Sequence, residues 1–213
     1  MRHIANEGRR FLYAPWIPAA LLLALSFLIF SFWKMHAGQT DAETVLLFLV
    51  SERKYHAILY ALLALFIFAL DVDSGAIHAQ VMAGYRIPAV ILRKSALYFA
   101  LVIILNMVYS AVCLLLFKMW NGDALRVILP RLLIDLGAAA IFIPLQLIFK
   151  KLQPTLVLSG VAAVAFIIAD APAYELWYAV INGAAVPAGK FLVSVIAIVA
   201  LPILAALYRS RNI

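Results

Sequence analysis

Few side chains in this 213-residue chain could do chemistry, and their spacing limits what that chemistry could be. Asp71 and Asp73 stand two apart. On a helix that spacing turns one carboxylate away from the other, so the pair suits capping or partner contact better than a shared metal ion. The four histidines, His3, His36, His56 and His78, are scattered and show neither HExxH nor i,i+4 ligand spacing. Gly183-Ala-Ala-Val-Pro-Ala-Gly189-Lys190 looks like a phosphate-binding loop at first sight. It puts five residues between its glycines where a Walker A loop has four, and Phe191 replaces the hydroxyl that would hold magnesium. There is no GxSxG nucleophile elbow. The single cysteine, Cys113, excludes a disulfide or a CxxC site within one chain. The chain is therefore not expected to be an enzyme, to bind ATP or a metal itself, or to carry a cofactor of its own.

Three polar residues lie inside strongly apolar stretches: Asn106, Asp135 and Gln146. A carboxylate near the centre of a spanning helix costs about 2.5–3.5 kcal/mol on insertion scales, so it must face protein or water and have a partner. Asp135 sits about one turn inside its segment, which leaves two readings: a residue lining a pathway, or an ion pair with Arg131 or Arg126 near the interface. Asn106 and Gln146 read as interhelical hydrogen-bonding groups or as substrate contacts.

The elements that would hold these residues are helices in lipid. The chain is 67% hydrophobic and 13% charged, where soluble domains run at about 45–50% and about 25%. Six apolar segments approach the ~20 residues that cross the hydrocarbon, at about 15–33, 55–70, 95–117, 132–149, 155–169 and 191–207. The expected fold is all-α: one polytopic membrane domain over 1–213 with six transmembrane helices. Outer loops fall at about 34–54, 118–131 and 170–190. The first segment reads as a retained span, because its apolar run is long and Met35-His36-Ala37 is a poor cleavage site. Met1 to Tyr13 alternates basic and apolar residues and suits a short interfacial helix.

Lys and Arg set the orientation. With six spans, ten of them (Arg2, Arg9, Arg10, Arg86, Arg93, Lys94, Lys150, Lys151, Arg209, Arg211) share the side of both termini; Lys34, Arg53, Lys54, Lys118, Arg126, Arg131 and Lys190 fall on the other. The reading is a multi-pass protein of the cell membrane with cytoplasmic termini. Its net charge of +7 then reflects topology and calls for no nucleic acid.

The longest cytoplasmic stretch, about 71–94, is the most informative. Asp73 and Ser74 are good N-cap residues, Ala76 to Ala83 forms about two turns with Ile77 and Val81 on one face, and Gly84 is a natural stop. Pro88 suits the first turn of the next helix. From Pro88 to Phe117 that helix measures ~45 Å at 1.5 Å per residue, longer than the hydrocarbon, so Arg93 and Lys94 should protrude from it.

On these residues the chain resembles the membrane subunit of a type-2 ABC exporter, the small six-span permeases that pair with a separate ATPase. That family has an acidic residue ending the second span, then a Gly-Thr-Ile-Arg-like start, an apolar helix, a second glycine nine residues after the first, and an aliphatic helix whose stem ends in Lys. Gly75, Ile77, Val81, Gly84, Val90, Leu92 and Lys94 fall in register, with Asp71 or Asp73 as the acid. Ala76 replaces a common Thr, His78 a common Arg, and Arg86-Ile87 stands for Ser-Arg. The resemblance implies a coupling helix at about 74–84 that docks on an ABC ATPase through Asp71, Asp73, Ser74, Gly75, Ile77, His78, Val81, Gly84 and Arg86. It also implies ATP and magnesium on that partner, a second permease chain, and outward movement of a peptide or amphiphilic substrate. The alternatives are a non-transporting immunity, assembly or regulatory membrane protein, and a lipid-processing membrane enzyme built around Asp135.

Overall fold

A computed structural model describes residues 16–39, 41–73, 76–118, 122–148, 152–169 and 188–211. The proposed interfacial segment at 1–13 and residues 170–187 of the expected outer loop, with the glycine-rich stretch as far as Pro187, lie outside them.

The described residues are almost wholly helical, with no strand among them. Helix α1 spans Trp16–His36. α2, Ala42–Ser51, starts at Asp41, whose carboxylate caps it by accepting from the Thr44 backbone N–H at 2.9 Å. It runs through one 3-10 turn (Glu52–Tyr55) into α3 (His56–Ala64), a π-helical turn (Leu65–Ala69) and α4 (Leu70–Asp73). α5 is short, Ala76–Met82; α6 is long, Ile87–Leu116. α7 (Gly122–Ile148), α8 (Leu152–Ala169) and α9 (Ala188–Arg211) complete the order.

Five stretches are long and apolar enough to cross a membrane: Ala19–His36, Thr44–Val72, Ile87–Leu116, Ile128–Ile148 and Leu192–Ser210. Leu152–Ile168 is apolar but shorter. The second stretch is the most enclosed, with 61% of its window buried, so it forms the centre of the bundle. Two expected loops are corrected here. Residues 42–55 are helical and continuous with the span that follows, because Val45, Leu46, Leu49 and Val50 bury an apolar face in the core. Residues 122–131 likewise belong to α7.

α9 packs along α7 and α6, while α3 packs on α7 and α8. The α7–α9 crossing is close because Gly137 has no side chain: a Cβ there would lie 2.7 Å from the Cβ of Ser194 and 2.8 Å from its Cα. α1 is held at its C-terminal end, where the His36 ring stacks on Phe48 at 4.1 Å and bonds Glu52 at 2.5 Å. The outward sides of α1, α8 and α9 expose large aliphatic residues such as Leu23, Ile168 and Val193, as lipid-facing surfaces do.

Candidate functional site

Two sets of polar residues stand out, at opposite ends of α6. The first is a buried network. Arg53 and Asp135 are 0% exposed and Arg131 is 1% exposed. The Asp135 carboxylate accepts from Arg53 Nη1 at 3.1 Å and from Arg131 Nε at 3.0 Å. The second Arg53 amino group donates to Ser110 Oγ, which donates in turn to the Asn106 carbonyl at 2.7 Å. Asn106 Oδ1 accepts from the Tyr60 hydroxyl and faces His56 Nδ1, both at 2.9 Å. Because that oxygen can only accept, the His56 proton sits on Nδ1, and the Nε2 lone pair has no hydrogen-bond partner among the described residues. Asn106 Nδ2 donates to its own Val102 carbonyl at 2.8 Å, which fixes which end of the amide meets the histidine. One layer below, the Tyr98 hydroxyl lies 3.1 Å from the Tyr60 carbonyl and 3.0 Å from that of Ala139.

Helical spacing explains the convergence. Arg53, His56 and Tyr60 are i, i+3, i+7 on one face; Asn106 and Ser110, like Arg131 and Asp135, are i, i+4. Three spans thus meet through polar side chains that the surrounding apolar core keeps from lipid. Of the two readings of Asp135, its contacts are those of the ion pair with Arg131, but the pair is buried and a second cation joins it. Arg53 corrects its assignment to an outer loop: it lies inside the fold because a carboxylate 82 residues away compensates its charge. Asn106 makes interhelical hydrogen bonds, as one of its two readings held. So does Gln146, whose Nε2 donates to Ser159 Oγ at 2.6 Å.

The second set surrounds α5. Gly84 takes φ +88°, and its N–H bonds the Val81 carbonyl at 2.9 Å while that of Tyr85 bonds the Gln80 carbonyl at 3.1 Å. This is a Schellman stop, which glycine adopts without the Cβ penalty. Arg86 is extended, and Pro88 then sits in the first turn of α6, where its missing N–H costs nothing. Lys94 corrects the expectation that it protrudes: it is 2% exposed and bonds Asp71 at 2.5 Å. Arg93 instead lies over the Tyr85 ring, 5.7 Å from its centroid. Ile77, 2% exposed, is in the core of the chain itself, Val81 is half-buried, and the free face of α5 carries His78, Ala79 and Met82, with Arg86 exposed beyond it. Asp73 ends α4; Ser74 and Gly75 lie outside the described residues, as does their capping.

Sequence reasoning found Asp135, Asn106 and Gln146 but missed Arg53, His56, Tyr60, Tyr98 and Ser110. The R-x-x-H-x-x-x-Y spacing entering a span was the available signal. Among the described residues no three His, Cys, Asp or Glu side chains converge as metal ligands. Searches among protein families, characterised proteins and solved structures find no match to this chain.

Proposed function

We propose that the chain is the membrane-spanning subunit of an ATP-driven exporter of the type-2 ABC kind. In this reading it has six spans and cytoplasmic termini in the cell membrane, and acts with a second permease chain. A separate ATPase binds ATP and magnesium, and a peptide or amphiphilic substrate moves outward. The observation that carries the reading is the join between α4 and α6. Asp71 and Lys94, the acidic and basic positions of the resemblance, form one ion pair across 23 residues and clasp a short capped helix between two spans. The helix presents a small exposed face at that join while its Ile77 anchors it inward. That arrangement suits a part that is pushed from outside and passes the push to the spans it is tied to.

Because Ile77 is internal, the docking test belongs on the exposed residues. His78→Asp and Met82→Asp should abolish co-purification of a nucleotide-hydrolysing chain in mild detergent while leaving insertion and yield intact. An ATPase complex that survives both substitutions refutes the coupling role. A second reading has its own support: Asp135 pairs with Arg53, and Ser110 links Arg53 to the Asn106 carbonyl inside the bundle, as in a rigid membrane partner serving immunity, assembly or regulation. Mass spectrometry of the same purification distinguishes the two, since that partner would bring down a companion without ATPase activity.

A further inference from the structure

Among the described residues, four lysine and arginine side chains are buried: Arg53, Lys94, Arg131 and Arg209. Three of them meet a carboxylate of the chain. Asp135 answers Arg53 and Arg131, and Asp71 answers Lys94. Arg209 is 7% exposed and has neither ion pair nor hydrogen bond among the described residues. Arginine is almost never so enclosed without a partner, because a buried charge gives up its hydration and must be compensated by another. The fold supplies that compensation at three positions and leaves the fourth open.

The place and shape of Arg209 define what can answer it. It lies in the last turn of α9, at the end of the apolar stretch Leu192–Ser210, and so at a membrane boundary. Pro202, Ala205, Ala206 and Arg209 are buried positions of α9 spaced i, i+3, i+4 and i+7, which lays the arginine stem against the neighbouring spans. Its Nε is covered and bonds nothing among the described residues. Neither amino group is among the covered, unbonded atoms, so the fork is the open end. A planar fork of N–H donors on a desolvated stem matches the oxygens of a phosphate, which guanidinium binds through paired hydrogen bonds. Phosphate is also the anion that phospholipids present at such a boundary. Leu204 and Leu207, exposed on the same stretch of α9, suit the adjoining acyl chains, and the half-exposed Tyr208 adds an aromatic ring of the kind common there.

We propose that Arg209 is an oxyanion site for a phosphate group, carried by an anionic membrane lipid or free in solution. The phosphate does for Arg209 what Asp135 and Asp71 do for the other buried cations. The site does not depend on the exporter reading.

The test uses the full chain, delipidated in maltoside detergent and phosphate-free buffer, then titrated with phosphatidylglycerol, phosphatidylcholine or inorganic phosphate. Native mass spectrometry counts bound lipid, and the SDS unfolding midpoint reads stability. Phosphatidylglycerol should bind and raise the midpoint; phosphatidylcholine, whose phosphate has its own cation, should bind several-fold more weakly. Arg209→Gln and Arg209→Met should weaken phosphatidylglycerol about tenfold or more, the worth of one charge-assisted hydrogen bond, and abolish the rise. Without anion both variants should be at least as stable as the parent, since they delete an uncompensated charge. Arg86→Gln, at an exposed arginine beside the start of α6, should change binding by no more than about twofold. A rise with inorganic phosphate alone at similar potency assigns the site to the free ion, and a rise only with lipid assigns it to the headgroup. Equal binding of the two lipids, equal losses in Arg86→Gln and Arg209→Gln, or no effect of any of the three additives overturns the site. Lower stability of Arg209→Met without anion overturns it in favour of a counterion within the protein. A two-chain mass that is lost in both Arg209 variants overturns it in favour of a carboxylate from a second copy.

Discussion

Replacing Asp135 by Asn removes one charge and almost no volume, and should be among the most damaging single changes in the chain. The carboxylate is 0% exposed and is shared by two guanidinium groups at 3.1 and 3.0 Å. At charge separations of about 4 Å and an effective dielectric near 20, each attraction is worth about 4 kcal/mol. Desolvation of the three ions consumes much of that sum in the intact protein. It is not recovered when only the carboxylate goes, because both cations stay buried. Losing one partner of a buried pair costs about 3–5 kcal/mol, a third or more of the stability of many proteins. The assay is the unfolding midpoint of the purified protein in mixed micelles titrated with SDS, alongside thermal inactivation of its monodisperse peak. The companion variant is the triple change Arg53→Met, Asp135→Leu and Arg131→Met, which deletes all three charges together. It should recover most of the loss, since apolar replacement of a whole buried cluster is often neutral. An Asp135→Asn protein within about 0.5 kcal/mol of the parent, the range of inconsequential surface changes, would refute the clamp. A triple variant no better than the single one would refute the charge argument.

Three further outcomes follow from the packing. Asn106→Leu leaves the His56 Nδ1–H and the Tyr60 hydroxyl without their shared acceptor, so it should cost about 2–5 kcal/mol, while Tyr60→Phe should cost only about 1 kcal/mol; SDS unfolding of both variants measures the difference. Gly137→Ala drives a methyl to 2.7 Å from Ser194 and should destabilise the α7–α9 crossing by about 1–3 kcal/mol, with partial rescue by Ser194→Gly in the double variant. Lys94→Met breaks the tie to Asp71; amide exchange over residues 76–86 should then rise several-fold while that of α7 stays the same, as read by mass spectrometry.

Much of the scaffold was legible, because apolar runs of membrane length have few other uses and because caps are local. Gly84 and Pro88 punctuate the chain through their own φ preferences, so the stop of α5 and the start of α6 could be read from single residues. The burial of Arg53 and Lys94 could not be read in that way. A cation beside an apolar run normally marks an interface, and only a carboxylate supplied by a distant part of the chain makes the interior tolerable. Asp135 for Arg53 and Asp71 for Lys94 are tertiary facts. Ile77 failed for a related reason. In two turns of helix the apolar face is evident, but whether it meets a partner or the chain's own core depends on how the neighbouring spans pack.

These buried ties change what α6 can do as a mechanical element. Lys94 and Asn106 lie twelve residues apart on it, about 18 Å, and each is bonded to the preceding span, at Asp71 and at His56 and Tyr60. Two polar anchors at different depths stop one helix from sliding or pivoting on the other, so α6 is not a lever free of its neighbour. In the proposed coupling role, α3, α4 and α6 would respond together, with α5 as their exposed tip, and any give between the two anchors would fall within the preceding span. Only one part of those helices departs from regular α-helix between the anchors, the π turn Leu65–Ala69, and π turns are among the places where helices kink. If α5 is the point of attack of a motor, spin labels at the exposed Ile58 and Ile104, both beside the anchor that joins His56 and Tyr60 to Asn106, should keep one sharp distance distribution with and without ATP. Labels at Ile58 and Met82, which straddle the turn, should show a second distance when ATP is bound. A second distance for the first pair would mean that the anchors give way and that α6 swings alone.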